Sequence, residues 1–282
     1  MIRSPLKGAL VAMLFLWGQI AWADAISGLV DFNVATDLNK FNLRVNSQPI
    51  DYFAAGGVNN SGSIRVSSPV TYPTATLVYN ERSFNMAGAN KLMLSTMFRY
   101  ETITELSNGG GVGTDVAALH LFTESTPAAL STHIRVAFHE TQFSIGGPVE
   151  HDIDVFSLVG GSGNGQGFSI SPLTDGNWYR LTTIFSIVGG PRNRFDVALE
   201  DMGTSGASAI GVPFQTSYTA DAGMTFFQDT TAWAAFSTSF PNGAGAERVD
   251  NFTYHVPEPA TSCLLAVAMA CLGLRIAKAG RT

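Results

Sequence analysis

Between Asp24 and His255 the chain has no cysteine: its two, Cys263 and Cys271, both lie in the last 20 residues. That stretch therefore forms no disulfides and does no thiol redox chemistry, and zinc centres built on cysteine are excluded with them. At this length the core is large enough to do without staples. Basic residues are scarce in the same stretch: 11 Lys and Arg stand against 21 Asp and Glu, a formal charge of −10. Such a surface disfavours nucleic acid and anionic membranes, whose affinity rests on Lys and Arg neutralising phosphates. No window of 12 or more residues there keeps a helical apolar period. There is no His-x-x-x-His pair, no Gly-x-Ser-x-Gly nucleophile elbow and no glycine-rich loop ending in Gly-Lys-Ser/Thr, so the glycine clusters read as hairpin turns. The five histidines, His120, His133, His139, His151 and His255, are scattered and read as surface or core fillers.

What the stretch does contain is fourteen short runs with alternating or β-branched residues, which predict strands near Leu29–Asn33, Asn42–Val45, Ser63–Ser67, Ala75–Tyr79, Lys91–Glu101, Thr114–Thr123, His133–Glu140, Gln142–Ile145, His151–Val159, Gly167–Ser171, Trp178–Val188, Arg194–Asp201, Thr231–Phe240 and Glu247–Val256. Gly, Asn, Ser and Pro separate them, as at Gly56-Gly57, Asn108 to Gly111, Gly146 to Pro148, Gly160 to Gly165 and Gly189 to Pro191. This spacing predicts an all-β antiparallel sandwich or barrel filling Asp24 to His255 as one domain.

Both ends are different. Arg3 and Lys7 form a positive region, Gly8 to Ile20 an apolar one, and Ala21-Trp22-Ala23 a small-x-small cleavage site. That is the secretory signal-peptide pattern, with cleavage expected after Ala23 and export through the Sec machinery. At the other end, Val256 to Thr282 reads Val-Pro-Glu-Pro-Ala, then an apolar helix over about 260–277, then Arg275, Lys278 and Arg281. The apolar run is short against the roughly 20 residues a lone spanning helix needs. Its basic end predicts that the tail's terminus stays cytoplasmic and that the chain before Val256 lies outside.

With Pro257, Glu258 and Pro259 directly before a short hydrophobic helix and a basic terminus, this tail resembles the PEP-CTERM sorting signal of Gram-negative bacteria. The resemblance implies an exosortase as partner, a membrane-embedded cysteine protease that removes the tail and passes the protein to the cell envelope or extracellular matrix. The family often has a tight arginine cluster where this chain interposes Ile276, Ala277, Ala279 and Gly280. An ordinary C-terminal anchor after a Pro-rich linker predicts the same topology.

The stretch between the ends resembles the laminin-G and concanavalin A-like jelly rolls. The opening carries Val30-Asp31-Phe32-Asn33, Thr36 to Phe41 and Gly57 to Val66. Later come the strand begun by Trp178-Tyr179-Arg180-Leu181, a hairpin at Gly189 to Asn193, and Phe195 to Leu199. In that fold the last strand, with Arg248 to Phe252, returns beside the first.

The strongest candidate site is Glu150-His151-Asp152-Ile153-Asp154-Val155-Phe156. On a strand Glu150, Asp152 and Asp154 share one face while His151, Ile153 and Val155 take the other, and neighbouring carboxyls raise one another's proton affinity. The run resembles the Glu-x-Asp-x-Glu strand of lichenase- and laminarinase-type glycoside hydrolases, which implies Glu150 as nucleophile, Asp152 as its partner and Asp154 as acid. A glutamate is the acid in that family, and the shorter Asp154 withdraws the proton donor by about one bond, a misplacement that can cost about two orders of magnitude in rate. The other reading is a solvated strand face kept unpaired by like charge. Asp31 and Asp250 could meet if the first and last strands pair, offering oxygens to a structural calcium; no other cofactor is expected. Trp178 and Trp233 read as core residues, or as sugar-stacking platforms if exposed. Two function classes follow: an exported, non-catalytic envelope or matrix protein binding extracellular polysaccharide, or a hydrolase using Glu150, Asp152 and Asp154.

Overall fold

The computed structural model describes residues 26–67, 74–86, 91–102, 112–128, 133–143, 147–159, 162–188, 192–219, 231–240 and 245–256. The expected signal peptide, with Ala21 and Ala23, and the tail, with Pro257, Glu258, Pro259, Arg275, Lys278 and Arg281, lie outside them. Among the described residues no helix is long and apolar enough to cross a membrane. Ser27–Pro257 forms one compact unit.

Sixteen strands run through the described residues: β1 (Ile26–Val30), β2 (Phe41–Leu43), β3 (Ile50–Phe53), β4 (Ser63–Val66), β5 (Thr74–Tyr79), β6 (Phe84–Asn85), β7 (Lys91–Glu101), β8 (Val112–Phe122), β9 (His133–Gln142), β10 (Val149–Val159), β11 (Ser162–Ser169), β12 (Trp178–Val188), β13 (Arg192–Asp201), β14 (Phe214–Thr219), β15 (Thr231–Ser239) and β16 (Gly245–Val256). They form two antiparallel sheets. The first has the order β14-β13-β12-β7-β16-β4-β3, with β1 also on β16. The second has the order β11-β10-β9-β8-β15-β5-β2, with β6 also on β15. The fold is therefore the expected antiparallel jelly-roll sandwich, and its last strand does return beside its first.

Period-two patterning decides which face each strand buries. In β9, Ile134, Val136 and Phe138 are fully buried and lie in the core between the sheets, while Arg135 and His139 point the other way. In β12 and β7, Leu181, Phe185, Leu92, Leu94 and Phe98 do the same from the opposite sheet. At the heart of the core the rings of Phe41, Phe236 and Phe252 lie 5.4–5.5 Å apart. Each such ring contributes about 1.5–3 kcal/mol by leaving water.

The structure corrects two expectations. Gln142 to Ile145 is no separate strand at its start, because β9 runs on through Gln142. Gly163 and Gly165 belong to β11 rather than to a turn, since glycine alternates there with Asn164, Gln166 and Phe168. The short strands β3, β6 and β14 were not expected.

Candidate functional site

The register of the second sheet sets its outward side chains in cross-strand rows. The first row runs Ser169, Asp152, His139, Asp115 across β11, β10, β9 and β8. Next to it stand Gly167, Asp154, Ala137, Ala118, Ser237 and Thr76, the last two on β15 and β5. The third row is Gly165, Phe156, Arg135, His120, Ala235 and Val78. The middle row is made of short side chains, so long ones from either side can reach across it.

Arg135 does this. From the third row its guanidinium passes the fully buried Ala137 and Ala118 and donates to Asp115 at 2.5 Å and Asp154 at 2.6 Å. The same guanidinium lies 4.8 Å from the Phe156 ring centroid. Asp115 also takes a 2.8 Å bond from His139 Nδ1. Burial alone pulls the proton affinity of His139 down, but the hydrogen bond and charge of Asp115, with the charge of Asp152, outweigh it and the imidazole is raised above its ordinary value. Asp152 is raised too, first by burial, with His139 opposing and the Asp154 and Asp115 charges adding to it. It makes no hydrogen bond or ion pair among the described residues. Side-chain exposures of 16–21% leave Asp115, Arg135, His139 and Asp154 recessed but reachable by solvent. The site thus offers fixed acceptors and fixed donors side by side, with opposite charges close to balance.

Of the residues the sequence singled out, Asp152 and Asp154 are on this face. Glu150 shares the face but is exposed at the start of β10, and nothing described joins it to the network. Asp154 is tied to an arginine, so the nucleophile-partner-acid arrangement implied by the hydrolase resemblance is not assembled. His151, Ile153 and Val155 turn inward as expected. There His151 Nδ1 lies 3.1 Å from the fully buried Glu140, which also accepts the Tyr100 hydroxyl from the opposite sheet. Burial, and then the Glu140 charge and hydrogen bond, raise the Tyr100 phenol.

Arg135, His139 and Asp115 were missed, the histidine having been read as a filler. Their signal was parity: Arg135 and His139 alternate with the apolar residues of β9, so both must leave the core on one side.

Of the two carboxylates expected to meet, the Asp31 charge adds to the raised proton affinity of Asp250. The Asp250 oxygens, however, already accept from Val58 N at 2.9 Å, Ser61 Oγ at 2.6 Å and Asn251 N at 2.7 Å. Among the described residues no three His, Cys, Asp or Glu side chains are grouped to hold a metal. Trp178 is 2% exposed against Val58, Met97 and Met202, and Trp233 is half-buried against Val78, Phe122 and Ala235, so neither is a free platform. An open depression of about 540 Å³ lies on the other sheet, lined by Thr182, Ile184, Asp196, Ala198, Gln215 and Ser217 among others. Its one ionisable side chain, Asp196, is bound to Arg194, which leaves it with less chemistry than the Arg135 network.

No protein-family model matches the chain, and no curated protein matches it. Solved structures do. Peanut lectin, solved with a nine-residue peptide, is 11% identical with a TM-score of 0.48, over 83% of this chain and 97% of the lectin. Lectin II from Ulex europaeus is 14% identical with a TM-score of 0.44, over 82% and 97%. The CBM2 module of the evolved Dit of Lactobacillus casei BL23 phage J-1 is 10% identical with a TM-score of 0.49, over 82% and 96%. At such identities the likeness is one of fold alone.

Proposed function

We propose that this is an exported protein of the cell envelope or extracellular matrix whose sandwich binds a neutral polysaccharide on the outer face of its second sheet, without cleaving it. The observation that carries the reading is the Arg135 network, in which one guanidinium holds two carboxylates from the flanking strands and a third carboxyl, Asp152, stands unpaired beside His139. Sugar hydroxyls donate and accept at once, and a recessed surface of preset donors and acceptors suits them. The three carboxyls oppose an acidic ligand; Arg135 and a protonated His139 oppose a cationic one. Hydrolysis needs two carboxyls in separate roles, and here Asp115 and Asp154 share one cation.

The route of delivery is part of the same proposal. The signal-peptide pattern ending at Ala21 to Ala23 supports Sec export. The Pro257-Glu258-Pro259 triplet, apolar run and basic end support removal of the tail by an exosortase after an inner-membrane intermediate.

A second reading, glycoside hydrolysis, has one observation in its favour: Asp152 holds its proton more tightly than an ordinary aspartate, as an acid catalyst must. One experiment separates the two. The purified full chain is offered neutral β-glucans and other polysaccharides, and retention and reducing-end release are scored together for wild type, Asp152→Asn and Arg135→Met. Retention without release, weakened about tenfold or more in both variants, is the expected result, since losing a buried charged hydrogen bond costs about 1.5–3 kcal/mol. Release that vanishes in Asp152→Asn would replace the binding reading with the hydrolase, and no retention of any neutral glycan would overturn both.

A further inference from the structure

On the outer face of the first sheet a different row stands out for its charge. Asp51 pairs with Arg65 between β3 and β4, Arg248 with Arg99 between β16 and β7, and Arg99 with Trp178 of β12. Val249 faces Ile64 in the antiparallel β16–β4 pair, which sets Arg248 opposite Arg65. Three arginines thus stand side by side across three neighbouring strands, in a stretch of chain with only 11 basic residues. Like charges directly opposite on a sheet are destabilising.

The partners are unevenly shared. Arg99 has Glu247 at 3.3 Å and the Gly176 carbonyl at 3.2 Å. Among the described residues Arg65 makes no hydrogen bond or ion pair, and Arg248 bonds only a backbone carbonyl, that of Glu247, at 3.5 Å. Both guanidiniums are held by rings instead. Arg248 lies 3.7 Å and Arg65 5.1 Å from the Phe53 centroid, and Arg65 lies 5.3 Å from Phe240. Stacking fixes the planes of two guanidiniums while leaving their N–H edges unspent, and those edges match a carboxylate or phosphate. The strain shows at Arg248, whose proton affinity is lowered first by burial and then by Arg65, with Glu247 opposing and Arg99 adding to the fall.

We infer that Arg65 and Arg248, clamped on Phe53, form a site for a single oxyanion group, a carboxylate or a phosphate. The site is separate from the Arg135 network and lies on the opposite sheet. The −10 charge around it repels extended polyanions at low ionic strength, so the site takes one acidic group at a time, such as a uronate residue in a mixed polysaccharide or a free phosphate.

Two probes distinguish these sources: sodium phosphate, and the monosaccharide sodium galacturonate. Each is titrated calorimetrically into the full chain, and its effect on the melting temperature is read for wild type, Arg65→Gln, Arg248→Gln, Arg248→Lys and Glu150→Gln. Heat and a rise in melting temperature with both probes assign a general oxyanion site, and with one probe alone they assign that source. The expected signature is at least a tenfold loss of affinity in either arginine-to-glutamine variant, a smaller loss in Arg248→Lys, and no change in Glu150→Gln, whose exposed carboxylate lies on the other sheet. Without anion, Arg248→Gln should melt no lower than wild type, because it removes the middle of three like charges. If neither probe binds the folded wild type, or if binding survives in both arginine-to-glutamine variants, the site does not exist. Neither failure touches the neutral-glycan reading, which rests on the other sheet.

Discussion

Asp250 has no exposed surface, yet its carboxyl organises the Gly57–Gly62 segment by accepting from Val58 N, Ser61 Oγ and Asn251 N. Burial pushes it up to about 6 from an ordinary 3.8, with those three hydrogen bonds opposing. Between these values the folded protein holds a proton that the unfolded chain has released, so this group's contribution to stability falls as pH rises from about 4 to 6. The melting temperature of wild type should therefore exceed that of Asp250→Asn by more at pH 5 than at pH 7.5. An equal gap at both would mean that Asp250 titrates normally. His139 obeys the same rule at higher pH. Its raised proton affinity adds stability that is complete below the ordinary 6.5 and is lost as pH rises through the raised value. Asp115→Asn removes the bond and most of the charge that oppose burial, so an NMR titration should find the His139 midpoint lower in that variant than in wild type. The same substitution strips Arg135 of one of its two carboxylates, a loss of about 1–3 kcal/mol for such a recessed charged pair.

Among the elements, the β3–β4 hairpin leaves least room. A Cβ on Gly62 would sit 1.9 Å from the Phe32 carbonyl oxygen and 3.1 Å from the Tyr52 hydroxyl. Backbone cannot step aside as a flexible side chain can, so Gly62→Ala should lower unfolding free energy by about 2–3 kcal/mol. Gly167→Ala, whose Cβ meets nothing closer than Asp152 Oδ1 at 3.8 Å, is the control and should stay within about 0.5 kcal/mol of wild type. Chemical denaturation of the two variants decides the point; equal stabilities would mean that the hairpin relaxes. The contrast also explains what was legible beforehand. Lys91–Glu101 and Trp178–Val188 were read to the residue, because eleven positions each of alternating apolar side chains leave little choice. The two-residue β6 carries no period at all, and the glycines of β11 mimic a turn because they lack the side chains that would show their alternation. Neighbours in the sheets were less legible still. Met93 of β7 lies opposite His255 of β16, a pairing set by burial of distant segments rather than by anything local. The site divided in the same way: Asp152 and Asp154 were visible as one strand's period, whereas Asp115, Arg135 and His139 join them only once β8, β9 and β10 are laid side by side.

For the whole molecule, the proposed delivery route assigns separate tasks to separate segments, and that separation can be tested. The core, the Arg135 network and the Arg65–Arg248 pair all lie within Ser27–Pro257, while the proposed sorting triplet is Pro257, Glu258 and Pro259. Glu258 is the one charge between the sandwich and the apolar run, so Glu258→Ala removes the feature that distinguishes a processed signal from a plain anchor and alters nothing in either binding face. The variant should be exported, keep its tail and accumulate in the inner-membrane fraction, with its binding of neutral glycan unchanged after detergent extraction. Wild type should appear beyond the inner membrane without the tail. Cell fractionation with mass spectrometry of the C-terminus reads both outcomes. If wild type remains in the inner membrane with its tail intact, the tail is an ordinary anchor, and the sandwich works at the outer face of that membrane. If the variant is trimmed and released like wild type, the triplet is not what the protease reads.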